Sequence, residues 1–84
     1  MSTDLGPTHT ARDEILNAIP SVQQQNGTFT VSAVLHEMHN RGTSYADGTI
    51  RTHITSRMCA DAPAHHAVRY PDLGRVALGI YRLL

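Results

Sequence analysis

The chain has 84 residues, enough for one small domain with one core, and its formal net charge is zero. Its single cysteine excludes an internal disulfide framework and fits a reducing compartment. No segment contains the roughly 20 apolar residues of a membrane span, and the first residues do not resemble a secretory signal. These features predict a soluble, cytoplasmic protein, associated with the nucleoid if it binds DNA.

The charges are unevenly distributed along this neutral chain. Residues 1–47 carry two arginines against five acidic residues, whereas residues 48–84 carry five arginines against two acidic residues. All cationic residues are arginine, whose planar guanidinium suits bidentate contact with phosphate and guanine, although a GC-rich coding sequence produces the same preference. Charge asymmetry between the halves of a chain indicates contact with nucleic acid.

Capping residues and apolar spacing mark the first two helices. Residues 1–9 are predicted to be a flexible tail. Thr10 is placed to cap a helix over about residues 11–24, which Pro20 should bend or end early. Thr30 follows a short β-prone segment at 28–30 and can cap a second helix, whose apolar residues fall at 31, 34, 35 and 38. Gly42 is placed to end that helix.

A third helix is predicted over about residues 45–59, with Ser44 as its cap. Ile50, Ile54 and Met58 form its buried stripe, and Arg57 lies near that stripe, where it could pair with a carboxylate. The opposite face contains no Lys or Glu, although a helix that only has to be soluble normally carries them. Flanked by Arg51, this face is predicted to consist of Tyr45, Gly48, Thr49, Thr52, Thr55 and Ser56. Small hydroxyl side chains and arginine take their place, and these groups bind phosphates and base edges.

The C-terminal part of the chain changes from helical to strand-like patterning. Pro63 is predicted to end the third helix. Two β-prone runs near residues 72–77 and 79–83 predict a hairpin that closes around Ala77-Leu78-Gly79. The predicted fold is therefore α+β and mainly α, with three helices, a short strand after the first helix and a C-terminal hairpin.

Several segments resemble small winged-helix (winged helix-turn-helix) domains, which occur alone or appended to restriction-type endonucleases. The segments that carry this resemblance are Phe29-Thr30-Val31, Arg41-Gly42-Thr43, Thr49-Ile50-Arg51-Thr52-His53 and Gly79-x-Tyr81-Arg82-Leu83. The resemblance implies one winged-helix domain over residues 10–84 that binds double-stranded DNA, in transcription regulation or in restriction. Two features depart from the family pattern, namely Pro20 and the apolar hairpin tip.

In this interpretation the third helix enters the major groove and the hairpin lies near the phosphate backbone. Backbone amides near Ser44 and Tyr45 would bind a phosphate, and Arg51 is the best candidate for bidentate contact with guanine. Arginines around the hairpin would contact phosphates, although solubility alone also explains them. The predicted DNA-binding residues are Ser44, Tyr45, Gly48, Thr49, Arg51, Thr52, Thr55, Ser56, Arg69 and Arg75.

Other functions find less support in the sequence. The histidines at 36, 39, 65 and 66 and Cys59 could in principle bind zinc, but their spacing matches no standard site, so we expect no metal and no cofactor. His65 and His66 are expected instead to pack a loop against the third helix. No nucleophile elbow, P-loop or paired-carboxylate motif indicates an enzyme. The alternative is a winged-helix protein-interaction or dimerisation module without DNA binding, and homodimerisation on DNA is left open.

Overall fold

The computed structural model describes residues 10–61 and 70–84. Its elements follow in the order α1 (Ala11–Val22), β1 (Thr28–Thr30), α2 (Val31–Asn40), α3 (Asp47–Thr52), a π-helical turn (His53–Arg57), β2 (Leu73–Ala77) and β3 (Ile80–Leu83). The predicted α+β class and the predicted order of helices and strands are confirmed. The predicted tail at 1–9 lies outside the described residues, as do Pro63 and the histidines at 65 and 66.

Local hydrogen bonds start the first two helices as predicted. The Thr10 hydroxyl accepts from the Asp13 amide at 3.2 Å, and the Asp13 carboxylate accepts from the Thr10 amide at 3.3 Å, which forms a capping box. The Thr30 hydroxyl accepts from the Ala33 amide at 3.0 Å and caps α2. Gly42 follows α2 with a φ of 79°, a conformation that glycine adopts without steric cost.

The first helix ends at Val22, two residues before the predicted end, and it continues through Pro20. A proline in the interior of a helix removes one backbone hydrogen bond to the preceding turn. Pro20 lies in the last turn of α1 and is exposed, so little helix remains to be disrupted beyond it. The helix stops where Gln23 becomes extended and the Gln24 amide donates to the Thr28 carbonyl at 2.8 Å.

The three strands form one antiparallel sheet in the order β1-β3-β2. Phe29 of β1 is paired with Tyr81 of β3, and the β2–β3 hairpin turns at Leu78-Gly79, where Gly79 has a φ of 73°. The register between β2 and β3 shifts between Arg75 and Ala77. The predicted hairpin is confirmed, and the short β1 segment forms an edge strand, as its length indicated.

The helices and the sheet enclose one hydrophobic core. Buried apolar residues from every element meet there. Tyr81 is one of them, and burial raises the pKa of its phenol because the charged form is poorly solvated. No helix in the described part of the chain is long and apolar enough to cross a membrane. The largest fully buried side chains are Phe29, Ile15, Ile19, Met38, Ile50, Ile54, Met58, Leu73 and Val34.

An ion pair fixes the first helix against the beginning of β2. The Arg12 guanidinium donates two hydrogen bonds to the Asp72 carboxylate, each 2.8 Å long, and lies 4.2 Å from the centre of the Tyr70 ring. The hydrogen bond to Asp72 raises the pKa of Arg12. Bidentate pairing restricts orientation as well as distance, so this contact helps to set the position of the hairpin relative to α1.

Candidate nucleic-acid interface

The third helix begins later than the sequence indicated. It starts at Asp47 with Ala46 as its cap, and no side-chain hydrogen bond caps it, so the prediction of a Ser44 cap was wrong. Tertiary contacts hold the preceding turn in place. The Thr43 hydroxyl donates to a Glu14 oxygen on α1 at 2.7 Å and accepts from the Tyr45 amide at 3.2 Å. These contacts keep residues 43–45 out of the helix.

The two predicted residues before α3 therefore differ in accessibility. Ser44 is exposed, whereas Tyr45 is half-buried and packs against the hydrophobic core. The expectation that Tyr45 lies on an outward helical face is corrected by this packing. An amphipathic tyrosine next to a core gains more by burying its ring than by leaving it in water.

A π-helical turn extends α3 and changes which side chains face the solvent. A regular helix from Ile50 and Ile54 returns to the buried side near residue 57, because it repeats every 3.6 residues. A π-turn inserts one extra residue, and Met58 stays buried as predicted, with Cys59 buried beside it; they are 0% and 2% exposed. Arg57 is exposed. Its predicted position beside the buried stripe was wrong.

The outer face of α3 and the π-helical turn is polar and carries little negative charge. Gly48, Thr49, Arg51, Thr52 and Thr55 are exposed, and Ser56 is half-buried. A side chain at Gly48 would meet nothing within 4 Å, so an approaching molecule can come close to the backbone at that position.

The one carboxylate at the start of α3 is held by a neighbouring helix. Asp47 lies one turn before Arg51, but its Oδ1 is 2.6 Å from Nε2 of His39 on α2. No ion pair to Arg51, Arg57, Arg75 or Arg82 occurs within residues 10–61 and 70–84.

Two side chains of this face are already bonded to the helix backbone. The Thr55 hydroxyl donates to the Arg51 carbonyl at 2.8 Å. Nδ1 of His53 lies 2.9 Å from the Thr49 carbonyl, which can only accept, so Nδ1 carries the hydrogen. These bonds fix the orientation of both side chains before any ligand binds.

Both arginines in the described part of the hairpin, Arg75 and Arg82, are exposed. The Arg75 side chain is exposed, and its backbone amide donates to Asp61 at 2.8 Å. Arg69 lies outside the described residues. The hairpin tip is apolar, with Leu78 86% exposed and Val76 51% exposed.

Sequence reasoning missed the contribution of His53 and Arg57 to this face. Because a π-turn depends on how α3 packs, helical spacing gave no indication that the Arg57 side chain is exposed on this face. The i,i+4 spacing of Thr49 and His53 was visible and could have indicated the bond to the Thr49 carbonyl. Among the described residues, no three His, Cys, Asp or Glu side chains are grouped to bind a metal.

The geometry defines a three-helix α+β domain with an antiparallel hairpin and an exposed, arginine-bearing third helix. The chain belongs to a family described as a domain of unknown function, DUF7669, whose model matches residues 8–83. No curated protein matches the chain, and no solved structure matches it. The family description names no activity. We therefore infer the function from the outer face of α3 and the π-helical turn.

Proposed function

We propose that this protein is a winged-helix domain that binds double-stranded DNA, with α3 in the major groove and the β2–β3 hairpin near the phosphate backbone. It would act as a sequence- or modification-sensitive reader in the cytoplasm, with neither a cofactor nor a catalytic step. The observation that carries the proposal is the outer face of α3. This face combines glycine, hydroxyl side chains and arginines that no described carboxylate pairs.

Each part of this face matches a requirement of groove binding. Small side chains at Gly48, Thr49 and Thr52 allow the helix backbone to approach the groove, and hydroxyls bond to phosphates and bases. Arg51 offers a bidentate contact to guanine. The arginines near the hairpin, Arg69, Arg75 and Arg82, would add phosphate contacts that do not depend on sequence.

The α2–α3 connection also supports the proposal. Helix-turn-helix motifs place the second helix of the pair in the groove, and a short turn with glycine joins the two helices. Here the connection covers residues 41–46, longer than the usual turn of about 3–4 residues, and it contains Gly42 and is bonded to α1 through Thr43. This bond ties the segment before α3 to the first helix.

A second candidate function is a protein-interaction or dimerisation module. The exposed leucine at the hairpin tip and the neutral net charge favour it. An interface built on Leu78 would be apolar and would respond weakly to salt. The salt dependence of binding therefore separates the two functions.

The proposal is tested by titrating a fluorescent duplex with the protein at several salt concentrations and measuring anisotropy. Each neutralised phosphate contributes a slope of about −0.9 to the plot of log K against log salt, so three contacts predict a slope of about −3. The Arg41→Gln variant is the matched control. In the wild type the Arg41 guanidinium is already bonded to Glu37 at 2.7 Å and to Ser21 at 2.9 Å. The variant should bind as tightly as the wild type.

Absence of duplex binding at low salt would overturn the DNA-binding function. If the protein then self-associates in a manner that Leu78→Ser abolishes, the interaction module is the better description. Binding that does not weaken with salt would argue against phosphate contact as its main source.

A substitution at Gly48 tests whether DNA comes close to the backbone of α3. The Gly48→Ala variant should raise the free energy of unfolding by about 0.5–1 kcal/mol, because alanine favours helix and its methyl group meets nothing within 4 Å. The same methyl group should weaken DNA binding if the groove approaches the backbone there. Thermal unfolding and anisotropy measure the two effects on one preparation. Greater stability with unchanged affinity would show that DNA does not approach α3 at this position.

A further inference from the structure

An open cleft of about 560 Å³ runs along one side of α3 and the π-helical turn. None of the described residues that line it is acidic, and Arg57 and His53 are the cationic or titratable groups among them. The cleft between α1 and the α2–α3 connection differs, because Glu14 lines it together with Arg41, whose guanidinium already binds Glu37. The lining of the α3 cleft is Ala46, Gly48, Thr49, Thr52, His53 and Arg57.

We propose that this α3 cleft binds one phosphate group of the DNA backbone, with Arg57 as its main ligand and His53 as a second. The inference rests on the proposed function and adds to it a specific contact that the helical pattern of the sequence did not predict. The ligand chemistry is that of a phosphodiester, a singly charged anion with oxygen acceptors.

Arg57 is suited to this role by its position, and no carboxylate in residues 10–61 and 70–84 forms an ion pair with it. The π-turn directs it to the exposed side, while its neighbour Met58 is fully buried and anchors the backbone at that point. The Met58 amide donates to the His53 carbonyl at 2.8 Å, and the Arg57 carbonyl accepts from the Tyr70 amide at 2.6 Å. The backbone that carries the guanidinium is therefore fixed on both sides.

His53 can add a second donor. Because Nδ1 carries the hydrogen that is bonded to the Thr49 carbonyl, Nε2 is an acceptor in the neutral ring and becomes a donor only when the ring is protonated. Within residues 10–61 and 70–84, no hydrogen-bond partner is found for Nε2. Protonation would thus convert this nitrogen from a group that repels phosphate oxygens into one that binds them.

Charged groups on a neighbouring element border the same side of Arg57. Arg12, Asp13 and Tyr70 line a second cleft that His53 and Arg57 also border. Arg12 is balanced by Asp72, and the Asp13 carboxylate accepts the Thr10 amide in the capping box. Asp13 keeps its negative charge in this second cleft, and among the described residues no ion pair holds Arg57.

The sharpest test replaces single phosphates of the duplex by neutral methylphosphonates and measures binding by the wild type and by Arg57→Gln. We expect one or two positions to weaken wild-type binding about 3- to 10-fold, as expected for the loss of one charge-assisted hydrogen bond at a surface. Those positions should have no further effect in Arg57→Gln. A scan in which the same positions weaken both proteins equally would overturn the assignment of Arg57.

Salt dependence gives a second readout. Arg57→Gln should make the slope of log K against log salt shallower by about 0.9, whereas Arg41→Gln should not change it. Arg57→Lys, which keeps the charge, should retain the wild-type slope. If the wild type binds DNA with a steep slope and Arg57→Gln leaves it unchanged, the cleft proposal fails while the DNA-binding function stands. If the wild type does not bind, both fail.

The role of His53 is tested by removing its ring. We expect His53→Ala to bind the duplex more weakly than the wild type at one fixed pH. The methylphosphonate positions that weaken wild-type binding should have a smaller effect in this variant. Affinity and methylphosphonate effects equal to those of the wild type would remove His53 from the site.

Discussion

Replacing Phe29 by alanine is expected to lower the free energy of unfolding by about 3–5 kcal/mol, which is most of the stability of a domain this small. Phe29 is 1% exposed and lies in the three-residue strand β1, where it is paired with Tyr81. It is the only phenylalanine of the chain. Removal of its ring leaves a cavity that the flanking strand and helices cannot fill without moving.

Urea denaturation followed by circular dichroism measures this effect. Val76→Ala is the matched control, because it also shortens an apolar strand residue but at a position 51% exposed. It should cost no more than about 0.5 kcal/mol, as is usual for surface substitutions. A loss below about 1 kcal/mol in Phe29→Ala would contradict the position of β1 over the core.

The Arg51→Ala variant is expected to lose about 1–3 kcal/mol of binding free energy on a preferred duplex and to discriminate less between sequences. The reason is the bidentate contact that an unpaired guanidinium can make with one guanine. Arg51 is exposed, and the neighbouring carboxylate of Asp47 is held by His39 at 2.6 Å. Selection from a randomised duplex pool identifies the preferred site, and titration of that site and a scrambled one measures discrimination.

Arg51→Lys separates base contact from simple charge. Lysine keeps the positive charge but cannot reproduce the planar fork of arginine. It should bind the scrambled duplex like the wild type and the preferred duplex more weakly. Equal ratios of the two affinities in the wild type and in both variants would refute base recognition by Arg51 and leave other residues of the α3 face as the source of any specificity.

Local chemistry explains why much of the fold could be predicted. Thr10 and Thr30 cap helices through bonds to residues three positions later, so the information lies within a few residues of sequence. Gly42 and Gly79 adopt positive φ angles at the ends of elements, where glycine is the residue that does so without cost. These residues therefore predicted where α1 and α2 start, where α2 ends and where the hairpin turns.

The region of the candidate site was less predictable, because distant residues shape it. Glu14 binds Thr43 across 29 positions and helps to delay the start of α3 past Ser44. Met58 is buried as its spacing predicted, but Arg57, at the end of the π-turn, is exposed. A helical wheel assumes a constant 3.6-residue repeat, so it placed Arg57 on the wrong side and Tyr45 on an outward face.

The sequence alone therefore determined the α+β class, the element order and the absence of acidic side chains on most of the outer face of α3, because caps, turns and periodicity act over short distances. The tertiary structure decided the sheet order β1-β3-β2, the Arg12–Asp72 pair across 60 positions and the face on which Arg57 lies. Each of these depends on which elements pack together. Packing minimises the exposed apolar surface of the whole chain, so no single segment encodes it.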